Sequence, residues 1–218
     1  MRFVIICLCV IGSMIPLAAE LAPVLKKHPV DLKRIVAEAG DMKKLGYYPV
    51  GIDAVEKGPE RGVYVLYRDD KFFEFEDWQI VSYPSVKTLE EVMIREFARG
   101  WIGIDFASAG NAVFVLYMKM RSEVDTWLLQ STAIAEDVEN SIRGYYKSGY
   151  RTYGIMNVGD DIYFTMIRLE KDRYQRNETR QFNSILEAET GIVPLMKDSW
   201  DVWGFYIATN RVVFTVMK

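Results

Sequence analysis

The apolar positions of this chain recur in four blocks that lie about 50 residues apart. An apolar strand pattern begins at four matched positions with steps of 50, 49 and 50 residues: Val63, Val113, Ile162 and Val212. Upstream of each strand stands a glycine followed by an apolar residue, at steps of 52, 51 and 50: Gly51, Gly103, Gly154 and Gly204. Separately placed features that share one period indicate a tandem repeat.

Each of the first three blocks opens with a helical pattern. Apolar residues three or four positions apart between Leu32 and Leu45 predict one buried helix face. The second block carries Leu89, Met93 and Phe97, preceded by a predicted capping box of Thr88 and Glu91, and the third carries Ile134, Val138, Ile142 and Tyr145. A small residue followed by an aromatic one then predicts the helix stop in every block: Gly46-Tyr47, Gly100-Trp101, Gly149-Tyr150 and, more weakly, Ser199-Trp200.

After each stop the pattern predicts strand, turn and strand, which is a β-hairpin. A third strand is predicted after the hairpin at 71–75 and 123–129, and less clearly between 174 and 182. The fold class is therefore α+β, with four tandem repeats of a helix plus a two- or three-stranded antiparallel meander. Their approximate bounds are 30–81, 82–130, 131–181 and 182–218. The array either closes into a propeller-like ring or stacks in an open row, and closure is favoured.

The fourth block departs from this pattern. Its helix position contains Gly191 and Pro194, which predict a break or a kink. The chain also stops at Lys218, directly after the second strand of the block, so its sheet is predicted to have an open edge. Such an edge needs a cover. Either the stretch from Glu20 to Leu25 closes the ring, or the edge meets a partner chain.

The first 19 residues have the layout of a secretory signal peptide. Arg2 precedes an apolar run of about 13 residues, which is shorter than the roughly 20 needed to span a bilayer. We predict cleavage near Ala19, a secreted or periplasmic single repeat domain at 20–218, and no membrane span after cleavage, with an uncleaved anchor as the alternative. Both cysteines, Cys7 and Cys9, fall within the removed segment, so the predicted mature chain has no disulfide.

Composition fits a globular domain and offers no electrostatic case for nucleic acid. Half of the 218 residues are apolar, and 27 basic side chains stand against 30 acidic ones. Without Arg2 the balance is 26 to 30, a net charge of −4. Nucleic acids and anionic membranes favour a basic surface, so neither is predicted as a partner.

The steps at Gly149-Tyr150-Arg151 and Gly46-Tyr47-Tyr48-Pro49, with a looser match at Gly100-Trp101, resemble the bacterial tandem repeat domain family. That family has repeats of about this length, with a helix, a Gly-Tyr step and a hairpin, and the resemblance covers most of residues 30–218. Its repeats accompany extracytoplasmic hydrolase domains and have no established chemistry of their own. The resemblance therefore implies an interaction role and no catalytic residues.

Few residues are available for chemistry. The single histidine, His28, lies in a predicted exposed linker, which argues against a serine triad or a histidine zinc site. Asp53 and Asp105 hold matched places in the first two blocks and are the first acids to consider for a carboxylate-dependent hydrolase, although two acids on exposed strand faces are the simpler interpretation. Asp160-Asp161 lacks the further ligands of a calcium loop and is interpreted as a solvated turn. The spread of the glycines gives no phosphate-binding loop, so no cofactor and no metal is predicted.

Aromatic side chains cluster near the helix-to-strand junctions, where they either pack in the core or form a binding rim. The candidate contacts for a ligand or partner are Tyr48, Trp101, Tyr153 and Trp203. The leading hypothesis is an exported, non-enzymatic repeat module that binds a protein partner or another copy of itself. The first alternative is carbohydrate or cell-wall binding through exposed, coplanar aromatics, and the second is the hydrolase.

Overall fold

The fold was analysed in a computed structural model. It describes residues 23–69, 75–120, 124–132, 135–158, 161–172, 174–208 and 211–218. The predicted signal peptide and both cysteines lie outside the described residues, as do Ile134 of the third helical pattern and Asp160 of the third turn. No helix within the described ranges is long and apolar enough to cross a membrane.

The described ranges contain four α-helices and twelve strands, with three strands for each helix, which confirms an α+β fold of repeated units. The helices are α1 (Leu32–Lys44), α2 (Leu89–Phe97), α3 (Ala135–Lys147) and α4 (Ile185–Lys197). The strands are β1 (Val24–His28), β2 (Tyr47–Val55), β3 (Gly62–Asp69), β4 (Phe75–Tyr83), β5 (Ile102–Ala109), β6 (Ala112–Met120), β7 (Val124–Thr132), β8 (Arg151–Val158), β9 (Asp161–Leu169), β10 (Asn177–Phe182), β11 (Asp201–Ala208) and β12 (Arg211–Met217).

The strands form four separate antiparallel sheets of three strands each. Their orders are β1-β3-β2, β4-β6-β5, β7-β9-β8 and β10-β12-β11. In every repeat the chain runs through an outer strand, a helix, an inner strand and a middle strand, so the last strand lies between the first two. The predicted meander, with its third strand after the hairpin, is wrong. Both edges of β3 are already occupied by β1 and β2, so β4 pairs with β6 of the next hairpin instead.

The fourth repeat is complete, contrary to the prediction. Its outer strand β10 precedes α4 and pairs with β12, which lies in the middle of its sheet. The chain end therefore leaves no missing strand. The N-terminal stretch does not cover the fourth sheet either, because β1 pairs with β3 in the first sheet.

Helix α4 runs through both predicted breakers. Its start is fixed by a capping box, in which Ser184 Oγ accepts from the Glu187 amide and Glu187 Oε2 accepts from the Asn183 amide. Gly191 serves packing, because a Cβ there would lie 2.7 Å from Cζ of the Phe182 ring. Tertiary packing of this helix outweighs the local cost of Gly191 and Pro194.

The predicted helix stops are confirmed. Gly46, Gly100 and Gly149 have φ of 87°, 83° and 84°, and Ser199 has φ of 63° at the equivalent place after α4. Glycine reaches this left-handed region without a steric penalty. The capping box predicted at Thr88 is not formed. Ser85 instead accepts from the Lys87 amide in a short 3₁₀ turn ahead of α2.

The inner strands bring the four sheets together. Strand β2 contacts β5 and β11, and β8 contacts the same two strands, so each inner strand touches two others. These strands are almost fully buried, as the pattern around Val50, Ile104, Ile155 and Phe205 shows. The outer strands carry the more exposed residues. Each inner strand therefore contacts the inner strands of two other repeats.

Candidate functional site

One hairpin turn differs in length from the other three. Six residues, 56–61, separate β2 from β3, whereas two residues separate β5 from β6, β8 from β9 and β11 from β12. The first repeat thus carries a four-residue insertion at the turn end of its hairpin. In repeat arrays, insertions map to loops on one face, which is often the binding face.

The inserted loop is held by side chains from two strands and by a backbone amide of a neighbouring turn. Lys27 Nζ donates to the Pro59 carbonyl at 2.8 Å, and Tyr64 Oη donates to Glu60 Oε2 at 2.7 Å. The Gly110 amide of the second repeat donates to Glu56 Oε1 at 3.2 Å. Gly58 has φ of 84°, which lets the loop turn back on itself. The loop therefore forms an ordered wall.

This wall and the fourth repeat enclose a cleft of about 790 Å³, which we call the seam cleft. It is lined by Ala54, Val55, Glu56, Lys57, Pro59, Glu60, Asn183, Ser184, Ile185, Leu186, Ile207, Ala208, Arg211 and Val212. The volume lies within the range of ligand-binding pockets. Leu186, on the first turn of α4, is 71% exposed at its edge.

The cleft combines an aliphatic lining with balanced charge. Eight of its fourteen lining residues are apolar, and the charged ones are Glu56, Glu60, Lys57 and Arg211, two of each sign. Among the residues that the structure describes, no aromatic one lines it. Such a surface suits an aliphatic side chain flanked by charged or hydrogen-bonding groups. A sugar ring, which prefers to stack on an aromatic face, finds no such face here.

Below the cleft, the first and fourth repeats are tied together. The Ile207 amide of β11 donates to Asp53 Oδ2 of β2. At the opposite end of the same strands, Arg68 of β3 donates to the Val202 carbonyl and to Asp201 Oδ1, each at 3.0 Å. The Arg68 side chain is 1% exposed. Buried charged hydrogen bonds of this kind are costly to break, so they hold the first and fourth repeats together.

The two aspartates of the hydrolase hypothesis are buried, and their predicted placement on exposed strand faces is wrong. Asp53 is 4% exposed and Asp105 is fully buried, and neither lines the seam cleft. Burial raises the pKa of Asp53 to about 8 and raises the pKa of Asp105 well above its ordinary value. Both carboxyl groups accept hydrogen bonds from backbone amides of neighbouring inner strands. This arrangement ties strands together and leaves no room for a substrate.

The four candidate aromatic residues do not form a common rim. Tyr153 and Trp203 are 1% and 2% exposed, and their ring centroids are 4.6 Å apart in the core. The expectation that these two rings stand on an exposed rim is therefore wrong. Tyr48 and Trp101 are partly buried against the core, and Lys43 Nζ lies 5.8 Å from the Tyr48 ring centroid. None of the four lines the seam cleft.

The predicted exposed linker at His28 is a buried strand. His28 is 1% exposed, its Nδ1 lies 2.9 Å from Glu38 Oε2, and its Nε2 lies 3.2 Å from the Tyr67 hydroxyl. Burial lowers the pKa of His28 despite the nearby Glu38 carboxylate. This group joins β1 to α1 and β3. Within the described residues, no cluster of three or more histidine, cysteine or acidic side chains could hold a metal ion.

Sequence reasoning missed the seam cleft, although the spacing contains a signal for it. From Gly51 to Val63 is 12 residues, from Gly103 to Val113 is 10, and the equivalent spacing in each of the last two blocks is 8, so the longest spacing falls in the first block. Comparing the strand spacing within each block would have located the insertion. The partner wall of the cleft, from α4, could not be found this way because it depends on how the repeats meet.

No protein-family model, no curated protein and no solved structure matches this chain. The resemblance of the Gly-Tyr steps to the bacterial tandem repeat family therefore stays a prediction.

Proposed function

We propose that the chain is an exported, non-enzymatic repeat module that binds an extended segment of a protein partner in the seam cleft. The observation that carries this proposal is the four-residue insertion in the hairpin of the first repeat. Three repeats connect the strands of their hairpin with two residues, and the one that departs from this length builds a wall of the seam cleft. The loop is longer than the other three hairpin connections and is held in place by hydrogen bonds. These properties are more typical of a binding loop than of a simple connection between strands.

The array is proposed to close into a propeller-like ring. Support comes from the inner strands, because β11 of the last repeat contacts β2 of the first as well as β8 of the third. The Arg68 and Asp53 hydrogen bonds reinforce that contact between the first and last repeats. Closure would fix the two walls of the cleft relative to each other, and a preformed cleft loses less entropy on binding.

The lining specifies the chemistry of the partner segment. Ile185 and Leu186 form one wall of the cleft and the charged inserted loop forms the other. An aliphatic side chain of the partner would therefore pack against Ile185 and Leu186. Lys57 and Arg211 would pair with acidic groups of the segment, and Glu56 with a basic one. Carbohydrate binding, the alternative, is less well supported because the cleft has no aromatic lining and two of the four candidate aromatics are buried.

The test is selection of binders from a library of random dodecapeptides on the purified protein, followed by fluorescence anisotropy with the enriched peptides. We expect peptides that share an aliphatic residue. Their affinity should fall at least tenfold in Leu186→Asp, because burying a leucine side chain contributes about 1.5–3 kcal/mol. Ile94→Asp is the matched control, because Ile94 is 55% exposed on α2, outside the cleft.

A second variant tests the inserted loop directly. Replacing residues 56–61 by Gly-Asn gives the first repeat the same two-residue turn as Gly110-Asn111. It should abolish peptide binding while the circular dichroism spectrum is retained. Peptides that bind Leu186→Asp as tightly as the unmodified protein would refute the cleft as the site. The mass measured by light scattering could instead rise with protein concentration, and this rise could be absent in Leu186→Asp. That result would show that the cleft binds a second copy of this chain and not a foreign segment.

A further inference from the structure

All four repeats meet at one level of their inner strands, which we call the central layer. Ile52, Phe106, Ile155 and Phe205 face the matched middle-strand residues Val65, Val115, Phe164 and Phe214. The residue before each of them therefore holds one equivalent position in the four repeats: Gly51, Asp105, Gly154 and Gly204. Three repeats have glycine at this position and the second has an aspartate. The matched glycines of the sequence repeat obscured this equivalence, because they align Asp105 with Asp53.

The Asp105 carboxyl group fills the space that the three glycines leave open. A Cβ at Gly51 would lie 3.2 Å from Asp105 Oδ2, one at Gly154 would lie 2.5 Å from Oδ1, and one at Gly204 would lie 2.9 Å from Cγ. At each of the three positions, a backbone carbonyl oxygen of a neighbouring inner strand would lie still closer to the Cβ. The glycines are thus required by the close approach of the inner strands together with this carboxyl group.

Backbone amides of three repeats point at that carboxyl group. The Ile52 amide donates to Asp105 Oδ2 at 2.8 Å, and the Phe205 amide donates to the same oxygen at 3.3 Å. The Phe106 amide donates to Oδ1 at 3.0 Å. These three donors occupy equivalent positions, directly after the shared glycine or aspartate. Three backbone amides therefore converge on one buried carboxyl group.

The third repeat contributes to the central layer differently. Thr165 donates its hydroxyl proton to the Ile104 carbonyl at 2.9 Å and accepts from the Gly154 amide at 3.0 Å. The hydroxyl of Thr215, its equivalent in the fourth repeat, lies 2.7 Å from the Tyr153 carbonyl. These hydroxyl groups tie the third and fourth repeats to their predecessors. The Asp105 carboxyl group ties the second repeat to the first and fourth.

We infer that the meeting point of the four repeats is a carboxyl-binding site built from backbone amides, and that the chain occupies it with its own Asp105. A chain with glycine at position 105 would present the same amides around an empty space with the size of the deleted side chain. Acetate has that size and that chemistry, since the side chain is a carboxyl group on one carbon. The site is therefore specific for a small monocarboxylate, supplied here within the molecule.

The test is chemical rescue of Asp105→Gly. The melting temperature of this variant should be well below that of the unmodified protein, and 100 mM sodium acetate at pH 5 should raise it by about 3 °C or more. At pH 5, acetate supplies both its ionised and its neutral form. Sodium chloride at equal ionic strength and acetamide, the uncharged analogue of the same shape, are the controls. Acetate should leave the melting temperature of the unmodified protein unchanged relative to chloride.

Three results would overturn the inference. Asp105→Gly could melt at the temperature of the unmodified protein, acetate could raise both proteins equally, or acetamide could match acetate. If Asp105→Gly does not fold, the same comparison is made on its yield of refolding with acetate, chloride or acetamide, and equal yields would count against the site. Amide hydrogen exchange in the unmodified protein is an independent check. The amide protons of Ile52, Phe106 and Phe205 should exchange more slowly than that of the partly buried Tyr47.

Discussion

Replacing Asp53 by asparagine should remove a large part of the pH dependence of stability. Asp53 is 4% exposed, and burial raises its pKa to about 8 in the folded state. In the unfolded chain the group titrates near 3.9. The folded state therefore binds one more proton than the unfolded state between these two values. Its contribution to stability is complete below about pH 4 and is lost as the pH rises through about 8.

The magnitude follows from the width of that interval. One proton changes the free energy of unfolding by about 1.4 kcal/mol per pH unit, and the interval of about four pH units gives about 6 kcal/mol. This is comparable with the whole stability of a typical domain. The asparagine side chain of the variant keeps an oxygen that can accept from the Ile207 amide, but it carries no titrating proton. The stability of the variant should therefore change less steeply with pH.

The assay is urea unfolding, followed by tryptophan fluorescence, at half-unit steps from pH 4.5 to 8. The free energy difference between the unmodified protein and Asp53→Asn should shrink by about 1.4 kcal/mol for each unit of rising pH. The buried His28 has a lowered pKa, so its contribution is instead lost as the pH falls below its unfolded value of 6.5. That contribution is present in both proteins and cancels in the difference. The exposed control Glu90→Gln should show no such trend, and parallel curves for Asp53→Asn and the unmodified protein would refute the reasoning.

Two further predictions concern the packing of the repeats. Gly154→Ala should lower the free energy of unfolding by more than about 2 kcal/mol, because its Cβ would meet the Ile104 carbonyl oxygen. The control is Gly144→Ala on α3, where no atom lies within 4 Å of the Cβ, and it should raise the free energy of unfolding by about 0.5–1 kcal/mol. Equal effects of the two substitutions in urea unfolding would contradict the close approach of the strands. Arg68→Met should cost about 3 kcal/mol, because it leaves the carboxylate of Asp201 without its buried cation. A loss below about 1 kcal/mol in the same assay would show that this ion pair does not stabilise the contact between the first and fourth repeats.

The repeat, its helices and its helix stops could be read from the sequence because each depends on neighbouring residues. A glycine at position 46, 100 or 149 ends a helix through its own φ, whatever the rest of the chain does. The middle strands were equally predictable, since their continuous apolar runs are typical of strands buried on both faces. Helix α4 was the exception among the local features. There a contact between Gly191 and the Phe182 ring, 9 residues away along the chain, outweighed the helix-breaking tendency.

Strand pairing was not decided locally. The segment of β4 has the sequence pattern of a strand, but that pattern does not specify which strand it will pair with. The prediction attached it to the preceding hairpin, whose middle strand has no free edge once β1 is in place. The same error made the fourth repeat look incomplete. Edge pairing depends on the order in which whole strands occupy a sheet, and this is a property of the tertiary structure.

The candidate sites show the same division. The sequence shows one histidine, a small set of acids and an aromatic cluster, and this inventory limits the chemistry that any site could perform. It did not determine that Asp53 and Asp105 are buried or that Leu186 borders a cleft with the inserted loop. Burial and clefts arise where residues from distant repeats meet, here 53 residues apart for Ile52 and Asp105 and 154 apart for Asp53 and Ile207. Only the packing of four similar sheets, each fixed locally, placed these groups together.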